Sequence, residues 1–163
     1  MSKRGAPSAR YAYRIVAKGR PDPLLSSRQG RFHEHESTSY AGGTISTAWI
    51  EVAARFGGLI PNVKAFELWR IGLRGLRLAD LRDPAVRSHY GVTVEELRET
   101  TAPKKCREVA RQLRADGYDG AAYESAQLRR AVCYVLFIEN IEARLEAELA
   151  EDEWDAFARD LPT

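Results

Sequence analysis

The chain has 163 residues, of which 44% are hydrophobic and 29% charged, and its formal net charge at pH 7 is +2. This length and composition are typical of one globular domain, and so small a net charge gives no reason to expect a nucleic-acid partner. No apolar run approaches the roughly 20 residues of a membrane-spanning helix, and no apolar signal core follows the first basic residues, so we expect a cytoplasmic protein without membrane contact.

The first third of the chain predicts two strands separated by a long loop. Residues 1–10 are small, polar and basic, and we predict that they are disordered. The alternating segment Tyr11–Ala17 predicts a first strand. Residues 19–39 form a long irregular stretch, which compact domains usually keep for a function. Residues 38–41 predict a second short strand.

A helix is predicted next, with Thr44 as its N-cap and its end near Phe56. Ile45, Trp49 and Val52 recur on one apolar stripe. Glu51 falls on the flank of that stripe, so it can point along the edge of the packed face.

The second half of the chain mixes strands and helices without regular alternation. Strands are predicted at residues 64–73, 76–81, 119–125 and 132–137, and helices near residues 84–90, 94–98 and 103–117. The last of these helices has an apolar stripe formed by Cys106, Val109, Ala110 and Leu113. A last amphipathic helix is predicted from Ile138, Ile141, Leu145 and Leu149. The fold class predicted from this order is α+β in a single domain.

The cysteines and histidines predict neither a disulfide nor a metal site. Cys106 and Cys133 lie in separate apolar segments, which favours packed, reduced thiols. His33 and His35 alternate around a glutamate, but a zinc site needs three or four protein ligands and His89 lies in an unrelated segment. We therefore expect no metal.

Four polar residues stand where they could bind a ligand. Arg14 lies within an apolar strand, where an unpaired guanidinium is costly. Arg31 ends the long loop, Glu51 flanks a packed helix face, and Ser125 leaves a predicted strand. Arginines suit a diphosphate and a carboxylate suits a ribose hydroxyl or a developing positive charge. From the residues alone, a buried Arg14–Glu51 ion pair and a turn role for Ser125 explain them equally well.

Short motifs in a fixed order strengthen the ligand-binding interpretation. They are Tyr13-Arg14, Asp22–Ser26, Gly30-Arg31-Phe32, Tyr40 followed eleven residues later by Glu51, Leu78–Asp83, Gly117–Gly120, Tyr123-Glu124-Ser125 and the apolar strand Val132–Phe137. This series resembles the RES-domain family, named for its arginine, glutamate and serine. The resemblance covers about residues 11–138, and residues 139–163 would then form an acidic C-terminal helix on or beside the domain.

The resemblance implies a fold similar to ADP-ribosyltransferases and a cleft that binds NAD⁺ as substrate. By position, Arg14 and Arg31 would hold the diphosphate and the nicotinamide ribose region, and Tyr40 would stack on or orient nicotinamide. Glu51 would bind the ribose 2′-hydroxyl and stabilise positive charge on the ribose as the bond to nicotinamide breaks. Ser125 would position the ligand or neighbouring side chains.

In function, the resemblance implies a bacterial toxin that depletes NAD⁺ by hydrolysis or phosphorolysis, neutralised by a cognate antitoxin with an Xre-like helix-turn-helix. A mono-ADP-ribosyltransferase that modifies a protein is the alternative. A non-catalytic partner-binding domain is the third, because Ile15 and His33 stand where many members have tyrosine and asparagine. The sequence leaves the oligomeric state open, including a homo-oligomer.

Overall fold

The computed structural model describes residues 10–26, 28–57, 59 and 62–161. Of the ten N-terminal residues predicted to be disordered, residues 1–9 lie outside the described part, and Arg10 is described. The strands and helices are β1 (Tyr11–Ala17), β2 (Thr38–Gly42), α1 (Ile45–Ala54), β3 (Phe66–Gly72), β4 (Leu78–Asp80), α2 (Pro84–Tyr90), α3 (Val94–Arg98), α4 (Lys104–Ala115), β5 (Gly120–Glu124), β6 (Val132–Phe137), α5 (Ile138–Ile141), β7 (Ala147–Leu149) and α6 (Glu151–Arg159).

The seven strands form one mixed sheet in the order β4-β5-β6-β2-β1-β3-β7. Only β4 and β5 are parallel, and the other neighbours are antiparallel. The predicted α+β class is confirmed. The pairing between β1 and β2 is weak, because these strands pair only at Tyr13 and Gly42, whereas β1 pairs with β3 at seven positions. The sheet therefore opens between β1 and β2.

Helices cover the sheet with the apolar faces that their sequences predict. Thr44 caps α1 by accepting a hydrogen bond from the Thr47 N–H. All four residues of the predicted α4 stripe are buried, in one cluster with residues of β5 and β6. On α1, Trp49 and Val52 are buried against β1, β3 and α6. No helix in the described ranges is long and apolar enough to cross a membrane.

The single C-terminal helix predicted from residue 138 onward is wrong. Its residues divide into α5, a 3₁₀ turn (Glu142–Arg144), β7 and α6. The physical reason is the open edge of β3, whose unpaired backbone groups bind β7. Arg70 on β3 also forms ion pairs with Glu148 and Glu153. Leu149, placed on the predicted apolar stripe, is 39% exposed.

Ser39 on β2 gives a stability prediction, because its hydroxyl is fully buried with no hydrogen-bond partner among the described residues. We expect Ser39→Ala to raise the free energy of unfolding by about 1 kcal/mol, since it removes an unpaired buried polar group. Thr38 is the matched control, because its hydroxyl donates to the Glu36 carbonyl and accepts from Arg114. Thr38→Val should therefore destabilise. Chemical denaturation of both variants checks the contrast, and a loss of stability in Ser39→Ala would contradict it.

Candidate active site

A cleft of about 830 Å³ opens where β1 and β2 diverge, within the size range of small-molecule sites. Its walls come from β1, the loop of residues 20–31, β2, one side of α1 and the segment that leads into α4. Gly42 allows α1 to come this close to β2, because a Cβ at that position would lie 2.6 Å from the Ala48 backbone nitrogen.

The cleft is strongly positive. Among the described residues that line it, Glu51 is the one carboxylate, against six guanidinium groups. The six belong to Arg14, Arg20, Arg28, Arg31, Arg55 and Arg107. Charges of one sign along a concave wall concentrate ligands of the opposite sign, so this cleft suits an anion with phosphate-like groups.

Glu51 projects from α1 and is held by two hydrogen-bond donors. Its Oε1 accepts from Ser125 Oγ and from Cys133 Sγ, the latter at 3.5 Å. Ser125 Oγ itself accepts from the backbone N–H groups of Gln127 and Leu128, both at 3.1 Å. With both acceptor positions of the hydroxyl used, its hydrogen is directed to Glu51. Ser125 therefore closes the turn after β5 and orients the carboxylate.

The two carboxylate oxygens of Glu51 differ in their hydrogen-bond partners. Burial, and then the neighbouring Glu51 carboxylate, raise the pKa of the Cys133 thiol to about 12, so it keeps its proton and donates to Oε1. No hydrogen bond from a described residue reaches Oε2. Because Glu51 lines the cleft, Oε2 is the oxygen that a ligand can meet.

Arg14 is buried in the cleft wall and donates to three backbone carbonyls. Nε donates to Pro23 O at 2.9 Å, Nη1 to Tyr40 O at 2.9 Å and Nη2 to Leu25 O at 3.1 Å. Burial, helped by Arg20 and Arg55, lowers the Arg14 pKa to about 9, which still leaves it charged at neutral pH. Arg14 joins β1 to β2 across their gap and fastens the long loop, and no ion pair links it to Glu51.

Tyr40 holds the Gly30–His33 turn beside the cleft. Its hydroxyl accepts from the Phe32 N–H at 3.0 Å and lies 2.7 Å from His33 Nδ1. Burial raises the Tyr40 pKa to about 12 and lowers the His33 pKa, so both groups are neutral at pH 7 and share one hydrogen between Tyr40 Oη and His33 Nδ1. Only glycine fits at position 30, since a Cβ there would lie 2.3 Å from Tyr40 Oη.

Arg31 follows that glycine and lines the cleft, and only part of its guanidinium is hydrogen-bonded by described residues. Nη1 donates to Leu97 O at 2.6 Å, and Cζ lies 4.9 Å from the centroid of the Tyr123 ring. No hydrogen bond to a described residue uses Nε or Nη2. These two nitrogens are available to an anion in the cleft.

The structure thus brings the five predicted site residues together: Arg14, Arg31, Tyr40 and Glu51 line the cleft, and Ser125 reaches it through Glu51. The roles in ligand binding assigned to them remain predictions. Sequence reasoning missed the other lining arginines and the cross-strand pair Tyr123 and Cys133. Arg55 could have been found from the sequence, because it lies four residues after Glu51 on the predicted helix. No sequence signal indicates the cross-strand pair, because its contact depends on the strand register.

His33 gives a pH prediction. Burial lowers its pKa in the folded protein, with Glu36 opposing the shift and Arg114 and Arg107 adding to it. The unfolded chain therefore binds a proton more readily than the folded one. The stability that His33 contributes is full above about pH 6.5 and declines as the pH falls toward the folded-state value.

We therefore expect the free energy of unfolding of the wild type to fall relative to that of His33→Gln between pH 7.5 and pH 5.5. Denaturant titrations at several pH values measure this difference. His35→Gln is the control, since His35 is exposed and its curve should parallel that of the wild type. If the free energies of unfolding of the wild type and His33→Gln change in parallel with pH, the predicted contribution of His33 is wrong.

Known proteins resemble this chain in sequence pattern and in fold. A family model described as the RES domain matches residues 8–158, beyond the predicted boundary at residue 138 and through most of α6. A chain in the crystal structure of the M. tuberculosis MbcT–MbcA toxin–antitoxin complex is similar in fold, with a TM-score of 0.69 and 17% identity over 90% of this chain and 87% of that chain. A search of curated proteins gave no match to the sequence. In the described ranges, no group of three or more His, Cys, Asp or Glu could hold a metal ion.

Proposed function

The chain belongs to the RES-domain family, and from this premise we propose that it binds NAD⁺ in the arginine-lined cleft and cleaves the bond between nicotinamide and ribose. The observation that carries the proposal is Glu51, one carboxylate held by Ser125 and Cys133 on the wall of a cleft lined by six arginines. A carboxylate in such a setting selects a ligand that is anionic overall but develops positive charge at one point.

In this proposal, the exposed arginines and Arg31 bind the diphosphate. Arg28 and Arg55 line the cleft and are exposed, and their guanidinium groups form no hydrogen bond or ion pair with a described residue. Arg31 offers the two nitrogens that Leu97 does not use. Arg14 contributes mainly by holding the walls in place, because three of its five N–H groups are taken by carbonyls.

The proposed reaction breaks the bond between ribose C1′ and the nicotinamide nitrogen. Both electrons of that bond go to the nitrogen, so the pyridinium leaves as neutral nicotinamide without needing a general acid. Positive charge develops on the ribose, and Glu51 Oε2 stabilises it from the cleft wall. The oxygen of water then bonds to C1′ and its proton passes to solvent, or inorganic phosphate takes the same place.

The test incubates the purified protein with NAD⁺ and separates the products by chromatography. Nicotinamide with ADP-ribose would support hydrolysis, and a phosphorylated ADP-ribose formed only with added phosphate would support phosphorolysis. If nicotinamide is released and labelled ADP-ribose stays on a protein, the enzyme is a mono-ADP-ribosyltransferase. NAD⁺ left intact under all conditions would overturn the proposal in favour of a partner-binding domain.

We also propose that the protein acts as a toxin controlled by an antitoxin. Support comes from the fold shared with a chain of a toxin–antitoxin complex and from the family. Induced expression in bacteria should then lower cellular NAD⁺ and stop growth. Co-expression of an antitoxin with an Xre-like helix-turn-helix, encoded beside the toxin gene, should restore both. Normal growth with normal NAD⁺ after expression would contradict the toxin role.

A further inference from the structure

Four aromatic rings run from the interior to one end of the cleft. Trp154 and Trp49 are buried, with ring centroids 5.7 Å apart. The Phe66 ring meets Trp49 at 5.8 Å and 84°, and the Phe56 ring meets Phe66 at 6.2 Å and 89°. The last two rings line the cleft. This chain of contacts fixes Phe66 and gives Phe56 a rigid support.

Phe56 itself is open to a ligand. The residue is 46% exposed, in the turn that follows α1. In a perpendicular pair, one ring presents its edge to the face of the other. Whichever ring supplies the edge, at least one face of Phe56 stays uncovered by Phe66. An exposed ring face in a cleft of this volume suits another flat aromatic group.

The charge beside Phe56 indicates the kind of aromatic group. Arg55 precedes it in the chain, lines the same cleft and is exposed, and its guanidinium forms no hydrogen bond or ion pair with a described residue. Glu51 lies five residues earlier, on α1, and lines the same cleft. A ring surface, a guanidinium and a carboxylate thus share the cleft wall. A base joined to a phosphorylated ribose carries groups that match all three.

We propose that Phe56, supported by Phe66 and flanked by Arg55, is a stacking subsite for one aromatic base of a dinucleotide. This inference rests on the proposed NAD⁺-cleaving function and specifies how the same cleft recognises its substrate. Adenine and nicotinamide share the required chemistry, so the test distinguishes them. Loss of one base–aromatic stack typically weakens binding about tenfold.

The experiment measures dissociation constants by calorimetry. ADP-ribose, which contains adenine and no nicotinamide, is titrated into the wild type, Phe56→Ala and Phe56→Tyr. Nicotinamide mononucleotide, which contains the other base, is titrated into Glu51→Gln with and without Phe56→Ala, so that it is not consumed. Ribose 5-phosphate, which has no base, tests whether the phosphate contacts are intact. Leu59→Ala is the matched control, because Leu59 is 76% exposed nearby and is outside the described cleft lining.

We expect Phe56→Ala to weaken one of the two base-containing ligands about tenfold, Phe56→Tyr to retain affinity, and Leu59→Ala and ribose 5-phosphate to show no change. Weaker ADP-ribose binding assigns the subsite to adenine, and weaker mononucleotide binding assigns it to nicotinamide. If the wild type binds ADP-ribose and Phe56→Ala changes neither ligand, the subsite is wrong while the proposed function stands. If neither ligand binds even without the Phe56 substitution, both fail. The melting temperature of Phe56→Ala should match the wild type.

Discussion

Replacing Glu51 with glutamine is expected to slow NAD⁺ cleavage about 100- to 1000-fold, the usual cost of removing one group that stabilises transition-state charge. Glutamine has nearly the same shape, and its amide oxygen can accept from Ser125 and Cys133 as Oε1 does. Its amide nitrogen would then stand in the cleft where Oε2 was, without the negative charge. The substitution therefore separates the charge of Glu51 from its packing.

The measurement is the rate of nicotinamide release by the purified variant, with ADP-ribose affinity determined in parallel. Because the proposed mechanism uses the charge only as the bond breaks, the turnover number should fall far more than the affinity for ADP-ribose. Glu95→Gln is the control for loss of one negative charge, since Glu95 is exposed on α3 and should keep full activity. Wild-type turnover in Glu51→Gln would remove Glu51 from the mechanism. A variant that unfolds would make the role structural.

The two departures from the family pattern have defined places in the structure. Ile15 is buried in the cluster of β1, β3 and α1 and lines the cleft. His33 is buried, and its Nδ1 is hydrogen-bonded to the Tyr40 hydroxyl. Neither residue takes part in the hydrogen bonds that hold Glu51. The departures that favoured a partner-binding domain therefore leave the carboxylate and its donors intact.

The sequence predicted elements well where local pattern and packing agree. The α4 stripe was predicted because its apolar residues recur at the helical period. The strand Val132–Phe137 was predicted because it is a short continuous apolar run, which is typical of a strand buried on both faces. The C-terminal segment failed because a distant strand edge at β3 decided its structure. Its periodicity favoured a helix, but pairing with that edge and the ion pairs of Arg70 favoured a strand.

The same distinction applies to the site. Glu51 was correctly placed on the flank of a packed helix, since the helical period fixes that angle. Its donors were not predictable as a pair: Ser125 was named from a motif, whereas Cys133 meets Glu51 only through the order of β5, β6 and β2 in the sheet. Arg14 shows the limit most clearly. Its burial in a strand predicted a partner, but the carbonyls that it binds come from a loop without a regular pattern.

Replacing Arg14 with methionine is expected to lower the free energy of unfolding by about 2 kcal/mol or more. Methionine keeps much of the volume but leaves the carbonyls of Pro23 and Tyr40 without this donor, whereas the Leu25 carbonyl keeps a hydrogen bond from Arg20 Nη2. Each unpaired buried carbonyl costs about 1–3 kcal/mol. Since domains of this kind are stable by only about 5–15 kcal/mol, the loss should be large in denaturant titration. Arg14→Lys, which keeps the charge but not three separate donor positions, should be intermediate and remain measurable if the methionine variant does not fold.

Arg55→Met is the matched comparison, because Arg55 lines the same cleft and is exposed, and its guanidinium has no described partner. It should change stability by less than about 0.5 kcal/mol and weaken ADP-ribose binding. Arg14→Lys should show the opposite pattern, with lost stability and, in the folded fraction, an affinity closer to that of the wild type. If Arg14→Lys were fully stable and failed to bind ADP-ribose, Arg14 would be a direct ligand contact. Arg14 and Arg55 both lie in the cleft wall, so their position does not distinguish their roles. The two variants do, because one role stabilises the cleft and the other binds the ligand.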